Sequence, residues 1–126
     1  SEFYGHSDGL VRYIGNDRVL ITNYDRFDKN FTSKVIEILR QHFNGVFKLE
    51  YNTQRQHKHN WAYINWLQTD KVLLIPSFGY PEDKQAFEQI TSLMPIYQGH
   101  AEMINAKDLI CHEGCLNCAS WIIYQK

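Results

Sequence analysis

The residues most able to do chemistry lie close together near the C-terminal end of the sequence, in the run Cys111-His112-Glu113-Gly114-Cys115-Leu116-Asn117-Cys118. This run holds all three cysteines of the chain. A thiolate can act as a nucleophile or as a metal ligand, so two chemistries compete for the run. A zinc site would draw its ligands from Cys111, His112, Cys115 and Cys118, which His57 and His59 could join in three dimensions.

Two other interpretations of the cysteine run stay open at the level of residue types. Cysteine is often a buried, small apolar residue, and Cys111 and Cys115 fit that structural role. Cys118 fits a nucleophile, because it follows a loop containing Gly114 and precedes the strand-like run Trp121-Ile122-Ile123-Tyr124. A histidine distant in sequence would then activate the Cys118 thiol.

A second candidate for chemistry stands at the other end of the sequence, in Gly5-His6-Ser7-Asp8-Gly9. Alternate side chains of an extended segment share a face, so His6 and Asp8 can point at one ligand. The simpler interpretation is a polar loop, since a single His-x-Asp is a weak motif.

Composition restricts the classes of function. A chain of 126 residues with 44% hydrophobic residues makes one domain, or a piece of a larger one, and can fill a core. A net charge of -1 provides no basic field for nucleic acid, and no apolar run has the length of a membrane span. Three cysteines within eight positions cannot form a spread disulfide framework, which favours a reducing, cytoplasmic compartment.

The hydrophobic patterns that must position these residues follow one order twice. Period-two patterns predict strands over residues 10–14 and 18–24, joined by a turn at Gly15-Asn16-Asp17. A polar loop over residues 25–29, capping by Asn30 or Thr32, a helix over residues 32–43 and a strand over residues 46–51 complete the first unit. The second unit is predicted to have strands over residues 61–66 and 71–76, a turn over residues 68–70, a helix over residues 82–93 and a strand over residues 96–101.

The two units form an internal repeat. Asp17-Arg18-Val19-Leu20-Ile21 and Asp70-Lys71-Val72-Leu73-Leu74 occupy matching places, 53 positions apart. The fold class is therefore α/β with repeated ββαβ units, and such an array with one strand left over is typical of a fragment of a propeller-like ring. The mostly apolar strand over residues 71–76 is expected to be buried on both faces. Open edges of the units favour pairing with another copy of the chain.

Three stretches together resemble a known family of enzymes. His6-Ser7-Asp8-Gly9-Leu10-Val11-Arg12 resembles the His-x-Asp-Gly segment of the agmatine deiminase and peptidylarginine deiminase family. Tyr63-Ile64-Asn65, with Val72 to Asp83 after it, is similar to that family's Tyr-x-Asn segment and its Val-Pro-x-Phe/Tyr-Gly-x-Pro-x-Asp turn. Leu116-Asn117-Cys118-Ala119-Ser120-Trp121 resembles its terminal nucleophile motif.

The resemblance implies a five-bladed α/β propeller of the guanidine-modifying superfamily. This chain would supply its C-terminal part: one blade over residues 10–52, a second over residues 61–104, and the nucleophile loop with the closing strand over residues 111–126. It implies no cofactor or metal. It also implies that the chain lacks the N-terminal blades, which hold other carboxylates for the cationic substrate.

The same resemblance implies roles for six residues. Cys118 would attack the guanidinium carbon, and His6 would protonate the leaving ammonia and then activate water. Asp8 would pair with the guanidinium nitrogens. The remaining substrate-binding residues would be Asn65, Gly114 and Asn117.

The implied substrate is agmatine, converted to N-carbamoylputrescine and ammonia, with peptidyl-arginine as the alternative. The chain departs from the family pattern at His112 and Glu113, which stand where glycines are usual. A third possibility follows from that departure and from the missing blades. It is a non-catalytic binding module that recognises a small molecule or a protein and holds zinc.

Overall fold

The computed structural model describes residues 10–23, 25–52 and 63–106, apart from the side chains of residues 25–27. Its strands form two three-stranded sheets. The elements are, in chain order, β1 (Val11–Gly15), β2 (Arg18–Ile21), α1 (Asp25–Arg40), β3 (Gly45–Lys48), β4 (Leu67–Gln68), β5 (Leu73–Ser77), α2 (Glu82–Leu93), a 3₁₀ helix (Pro95–Tyr97) and β6 (Ala101–Asn105).

The two sheets have the same topology. In the first, β1 and β2 form an antiparallel hairpin and β3 returns through α1 to run parallel to β2. In the second, β4 and β5 are antiparallel, and β6 returns through α2 to run parallel to β5. The predicted fold class, α/β with repeated ββαβ units, is therefore confirmed.

The first hairpin turns where the sequence predicts. Gly15, Asn16 and Asp17 all have positive φ angles, at 90°, 55° and 60°. Glycine, asparagine and aspartate are the residues that adopt this left-handed region most readily. The tight turn between β1 and β2 therefore follows from residue type.

A single apolar core joins the two units. From the first unit it takes Ile14 and Leu20, and Leu49 just after β3. The second unit supplies most of its members, which are Tyr63, Ile64, Trp66, Leu73, Ile75, Phe78, Ala86, Ile90, Met94, Tyr97 and Ala106. Neither strand face of β5 is open to solvent over most of its length, since Leu73, Ile75 and Pro76 are buried and Leu74 is half-buried. This agrees with the expectation for the strand over residues 71–76.

Side-chain amides of α2 also tie the second unit to the segment that follows β3. Gln89 accepts a hydrogen bond from the Glu50 backbone N–H (2.8 Å) and donates one to the Glu50 carbonyl (2.7 Å). Gln85 accepts from the Asn52 N–H (2.8 Å) and donates to the Asn52 side chain (2.8 Å). Because each glutamine uses both ends of its amide, α2 satisfies backbone groups that a fourth strand would otherwise pair.

The prediction of a polar loop over residues 25–29 is wrong. Helical structure begins at Asp25 and is interrupted at Asp28, whose backbone is extended (φ -160°, ψ 93°). The Asp28 carboxylate accepts a hydrogen bond from the Phe31 N–H (2.9 Å), so Asp28 provides the cap that the sequence suggested for Asn30 or Thr32.

The predicted strand over residues 61–66 is also wrong in its described part. Tyr63 and Ile64 form a 3₁₀ turn, and the strand β4 is only Leu67–Gln68, after the predicted strand and overlapping the predicted turn at Gln68. Residues 63–66 are all buried, and the carbonyls of Ile64 and Trp66 accept hydrogen bonds from the Arg12 side chain. The Arg12 side chain thus binds two carbonyls that a neighbouring strand would otherwise pair.

The strand predicted over residues 96–101 lies further along the chain. Pro95–Tyr97 is helical, Gly99 has a φ of +82°, and β6 begins at Ala101. Tyr97 is buried, and its hydroxyl donates to the Thr69 carbonyl (2.6 Å), which anchors the turn between β4 and β5. Among the residues that the structure describes, no helix is long and apolar enough to cross a membrane.

Candidate functional site

Asn65 is the one predicted site residue that falls in the described part of the chain. It is 1% exposed and lies between Ile64 and Trp66, which are fully buried. Three neighbouring features hold this segment: the Tyr63 hydroxyl, the carbonyls on either side of Asn65, and the Trp66 ring. The backbone that carries Asn65 is therefore held by contacts of the residues before and after it.

The Tyr63 side chain connects the Asn65 segment to the start of α2. Its hydroxyl donates a hydrogen bond of 2.5 Å to Asp83 Oδ1. Its ring lies between those of Phe78 (centroids 5.3 Å apart) and Tyr51 (6.2 Å). Tilted aromatic pairs at these separations are attractive, so Tyr63 is fixed at both its polar and its apolar parts.

The Asp83 carboxylate also organises the loop that leads from β5 into α2. It accepts hydrogen bonds from the backbone N–H groups of Phe78 (3.1 Å), Gly79 (2.8 Å) and Tyr80 (3.3 Å). Gly79 has a φ of +81°, which lets three successive N–H groups converge on one carboxylate. Asp83 therefore couples the loop to the Tyr63 hydroxyl and, through Tyr63, to Asn65.

On the opposite side of the Asn65 segment lies Arg12 of β1. Its Nη1 atom donates to the Ile64 carbonyl (3.2 Å) and to the Trp66 carbonyl (3.0 Å). Its Cζ atom is 4.7 Å from the centroid of the Trp66 ring, within the range of a cation–π contact. The Trp66 indole N–H donates to Gln68 Oε1 (2.9 Å), which fixes the ring against which Arg12 stacks.

The electrostatics near Asn65 keep two tyrosines neutral. Burial raises the pKa of Tyr63 well above its usual value of 10, and the hydrogen bond to Asp83 raises it further. Burial also raises the pKa of Tyr51, with additional contributions from the negative charges of Glu82, Asp83 and Glu50. These carboxylates make the surroundings of Tyr51 favourable to a cation.

The other five predicted site residues lie outside the described residues. They are His6, Asp8, Gly114, Asn117 and Cys118. Their convergence with Asn65 stays a prediction. The three cysteines of the zinc interpretation lie outside as well, as do His57 and His59. Among the residues described, no three His, Cys, Asp or Glu side chains are placed to hold a metal ion.

Sequence reasoning missed that Arg12 and Asp83 hold the Asn65 segment. The signal for Arg12 lies in the strand alternation, since Arg12 shares a face of β1 with the buried Ile14. A cation on a core-facing position requires acceptors nearby. Asp83 ends the Val-Pro-x-Phe/Tyr-Gly-x-Pro-x-Asp motif and lies in the first turn of α2, but neither pattern indicates that its carboxylate binds the Tyr63 hydroxyl.

One protein-family model matches nearly the whole of this chain. The sequence model of the Porphyromonas-type peptidyl-arginine deiminase family matches residues 2–123. The chain belongs to this family. The resemblance inferred from the three motifs is thereby confirmed, and the match includes all six predicted site residues.

Solved structures with the same fold include agmatine deiminases. Agmatine deiminase of C. jejuni has a TM-score of 0.69 at 16% identity, over 90% of this chain and 37% of that chain. A substrate-bound form of the C. jejuni enzyme has a TM-score of 0.68 at 16% identity, over 90% of this chain and 35% of that chain. Agmatine deiminase of Enterococcus faecalis has a TM-score of 0.68 at 13% identity, over 90% of this chain and 38% of that chain.

The chain thus spans little more than a third of the deiminases whose fold it shares. A separate match, 35% identical over 66 residues, is to Myosin-17 of Arabidopsis thaliana. It covers 52% of this chain and only 4% of that protein. Such a short segment of a much longer protein carries no conclusion about function.

Proposed function

We propose that this chain is the C-terminal part of a hydrolase that removes ammonia from a guanidino group. The family match over residues 2–123 carries this proposal, because it includes a thiol, an imidazole and a carboxylate in the order of the family's motifs. Cys118, His6 and Asp8 are the residues concerned. The α/β fold shared with agmatine deiminases supports the proposal.

The proposed reaction begins with the Cys118 thiolate. Its sulfur forms a bond to the guanidinium carbon, and the C–N bond to ammonia breaks as His6 supplies a proton to the leaving nitrogen. His6 then takes a proton from water, whose oxygen attacks the same carbon. The C–S bond breaks, which releases a ureido product and restores the thiolate.

Holding the substrate is the proposed task of the polar residues. Asp8 would accept two hydrogen bonds from the planar guanidinium, which places the carbon over the sulfur. Asn65, Gly114 and Asn117 would complete the contacts to the substrate. The burial of Asn65 and the hydrogen bonds that hold the backbone around it support such a role, because a segment that is already held needs little reorganisation when the substrate binds.

Agmatine is the first choice of substrate, with N-carbamoylputrescine as product. Neighbours with the same fold are agmatine deiminases, and one was solved with its substrate bound. Peptidyl-arginine, which would become peptidyl-citrulline, is the second choice, and the name of the matching family favours it. The two substrates share the guanidino group and differ only in what is attached to it.

Ammonia release from agmatine and from an arginyl peptide tests the proposal. We expect the full-length gene product to turn over at least one of them and Cys118→Ala to abolish that turnover. The 126-residue chain alone should be nearly inactive, because it lacks most of the length of the related enzymes. Turnover by Cys118→Ala would refute the mechanism, and no turnover of either compound by the full-length protein would refute the function.

A further inference from the structure

Arg12 holds the backbone around Asn65, a residue of the proposed site that is distant from Arg12 in the sequence. Its single Nη1 atom bonds to the carbonyl before Asn65 and to the carbonyl after it, at 3.2 and 3.0 Å. The backbone on both sides of Asn65 is therefore held by one side chain. A rotation of the peptide units that carry Asn65 would break one of these bonds or both.

The same arginine belongs to β1, which is paired with β2. In β1, Arg12 is paired with Leu20 of β2, and a further bond from the Thr22 N–H to the Leu10 carbonyl (3.0 Å) continues the ladder. The pairing of β1 with β2 thus holds the backbone that carries Arg12.

We propose that Arg12 is a positioning residue, which holds the backbone around Asn65 in the place from which Asn65 would contact the substrate. This role rests on the proposed function, since it concerns the same guanidino site. Arg12 acts through the backbone carbonyls of Ile64 and Trp66 and through its stacking on the Trp66 ring. It does not bind the substrate itself.

The chemistry of arginine suits this task better than that of lysine. A guanidinium remains charged at any pH at which proteins are folded, and its flat face can stack on an indole while its edge donates hydrogen bonds. Here the Cζ atom lies over the Trp66 ring, 4.7 Å from its centroid, and the Nη1 atom donates to the two carbonyls. A lysine would retain the charge but lose the stacked face.

Arg18 provides a matched control from the same hairpin. It also donates to a backbone carbonyl of the second unit, that of Leu93, at 2.7 Å. Leu93 is the last residue of α2, whereas Asp83 is near its start, a separation of about 15 Å along the helix axis. Both arginines are part-buried and connect the units, but only Arg12 contacts the Asn65 segment.

The kinetic test compares Arg12→Gln with Arg18→Gln in the full-length gene product. We expect Arg12→Gln to raise KM for the substrate by about tenfold or more, with kcat changed by less than about threefold, because a displaced Asn65 weakens binding first. Arg18→Gln should lower the Tm by a similar amount and leave KM within about twofold of the wild-type value. Equal KM values in the two variants would overturn the positioning role.

A second measurement does not depend on activity. The side-chain amide signal of Asn65, assigned in ¹⁵N-labelled protein by its loss in Asn65→Asp, should shift in Arg12→Gln and not in Arg18→Gln. An unchanged signal in Arg12→Gln would overturn the inference even if turnover is lost. If the wild-type protein releases no ammonia, the proposed function fails, and the amide signal alone decides whether Arg12 positions Asn65.

If Arg12→Gln does not fold, Arg12→Lys is measured in its place, with Arg18→Lys as its control. The lysine retains a charged donor for the carbonyls but has no planar face for Trp66. We expect a rise in KM of about threefold, between wild type and Arg12→Gln. A KM for Arg12→Lys that equals the value for Arg18→Lys would count against the role of Arg12.

Discussion

In the first unit, the helix after the hairpin leaves its apolar residues only half-buried, and Ile38 of α1 is 57% exposed. In the second unit, Ala86 and Ile90 of α2 are fully buried. The strand order is nevertheless the same in both. The strand order is thus repeated while the burial of the helices is not, and the second unit supplies most of the core.

The turns of the two hairpins also differ in length and in what holds them. The turn between β1 and β2 consists of two residues, Asn16 and Asp17, and depends on positive φ angles. The turn between β4 and β5 spans residues 69–72 and is held by the Thr69 hydroxyl, which accepts from the N–H groups of Lys71 (3.1 Å) and Val72 (3.0 Å). Both turns have side-chain contacts, since the Tyr13 hydroxyl accepts from the Asp17 N–H (3.2 Å), but of the two only the first also depends on positive φ angles.

The largest difference between the units should come from truncating an aromatic residue in the core. Trp66→Ala is expected to lower the free energy of unfolding by about 3–5 kcal/mol, because Trp66 is fully buried and leaves a cavity. Ile38→Ala in α1 should cost no more than about 0.5 kcal/mol, as is usual for an exposed site. Guanidinium chloride unfolding of the two variants measures both, and similar costs would contradict the unequal burial.

A carboxylate in each unit sharpens the comparison. Asp83→Asn is expected to cost about 2 kcal/mol, because the charged acceptor serves three backbone N–H groups and the Tyr63 hydroxyl. Asp17→Asn should cost less than about 0.5 kcal/mol. Among the described residues, the exposed Asp17 carboxylate accepts one hydrogen bond, from the Asn44 N–H (3.1 Å), and asparagine adopts the positive φ of this position equally well. Thermal unfolding of both variants at neutral pH provides the measurement; the contrast fails if Asp17→Asn is the more damaging.

The raised pKa of Tyr51 should make the free energy of unfolding depend on pH in the alkaline range. The raised pKa of Tyr51 means that the folded chain keeps a proton that the unfolded chain releases above about pH 10. Stability is therefore complete below pH 10 and falls as the pH rises above it, by up to about 1.4 kcal/mol per pH unit for this tyrosine. Denaturant unfolding between pH 8 and 11 should show a shallower decline in Tyr51→Phe. An identical decline in wild type and variant would mean that Tyr51 ionises equally in both states.

The smallest effects concern the two hairpin turns. Gly15→Ala should cost about 1 kcal/mol through its φ of +90° alone, since no atom lies within 4 Å of the added methyl group. Thr69→Val should cost about 1 kcal/mol through the loss of the hydroxyl acceptor, and Thr69→Ser, which keeps it, almost nothing. Thermal unfolding separates the causes. A cost for Thr69→Ser that equals that of Thr69→Val would show that the hydroxyl does not stabilise the second turn.

Some of the fold and site could be predicted from sequence because short-range chemistry decides it. The helix over residues 82–93 has the bounds predicted for it, since its apolar residues recur at helical spacing, acidic residues begin it and Pro95 prevents its continuation. The turn at Gly15-Asn16-Asp17 follows equally from residue type. The order of motifs along the chain sufficed to identify the family.

Tertiary contacts decided what local pattern could not. The aromatic segment before β4 has strand-like composition, but the Arg12 side chain takes its carbonyls, and a residue 52 positions away in sequence leaves no trace in a local pattern. Equally, the apolar stripes of α1 and α2 look alike in sequence, while only the fold determines which of them meets the core. Asn65 was found through its motif; the contacts that hold it, from Arg12 on one side and Tyr63 with Asp83 on the other, exist only once the two units have packed together.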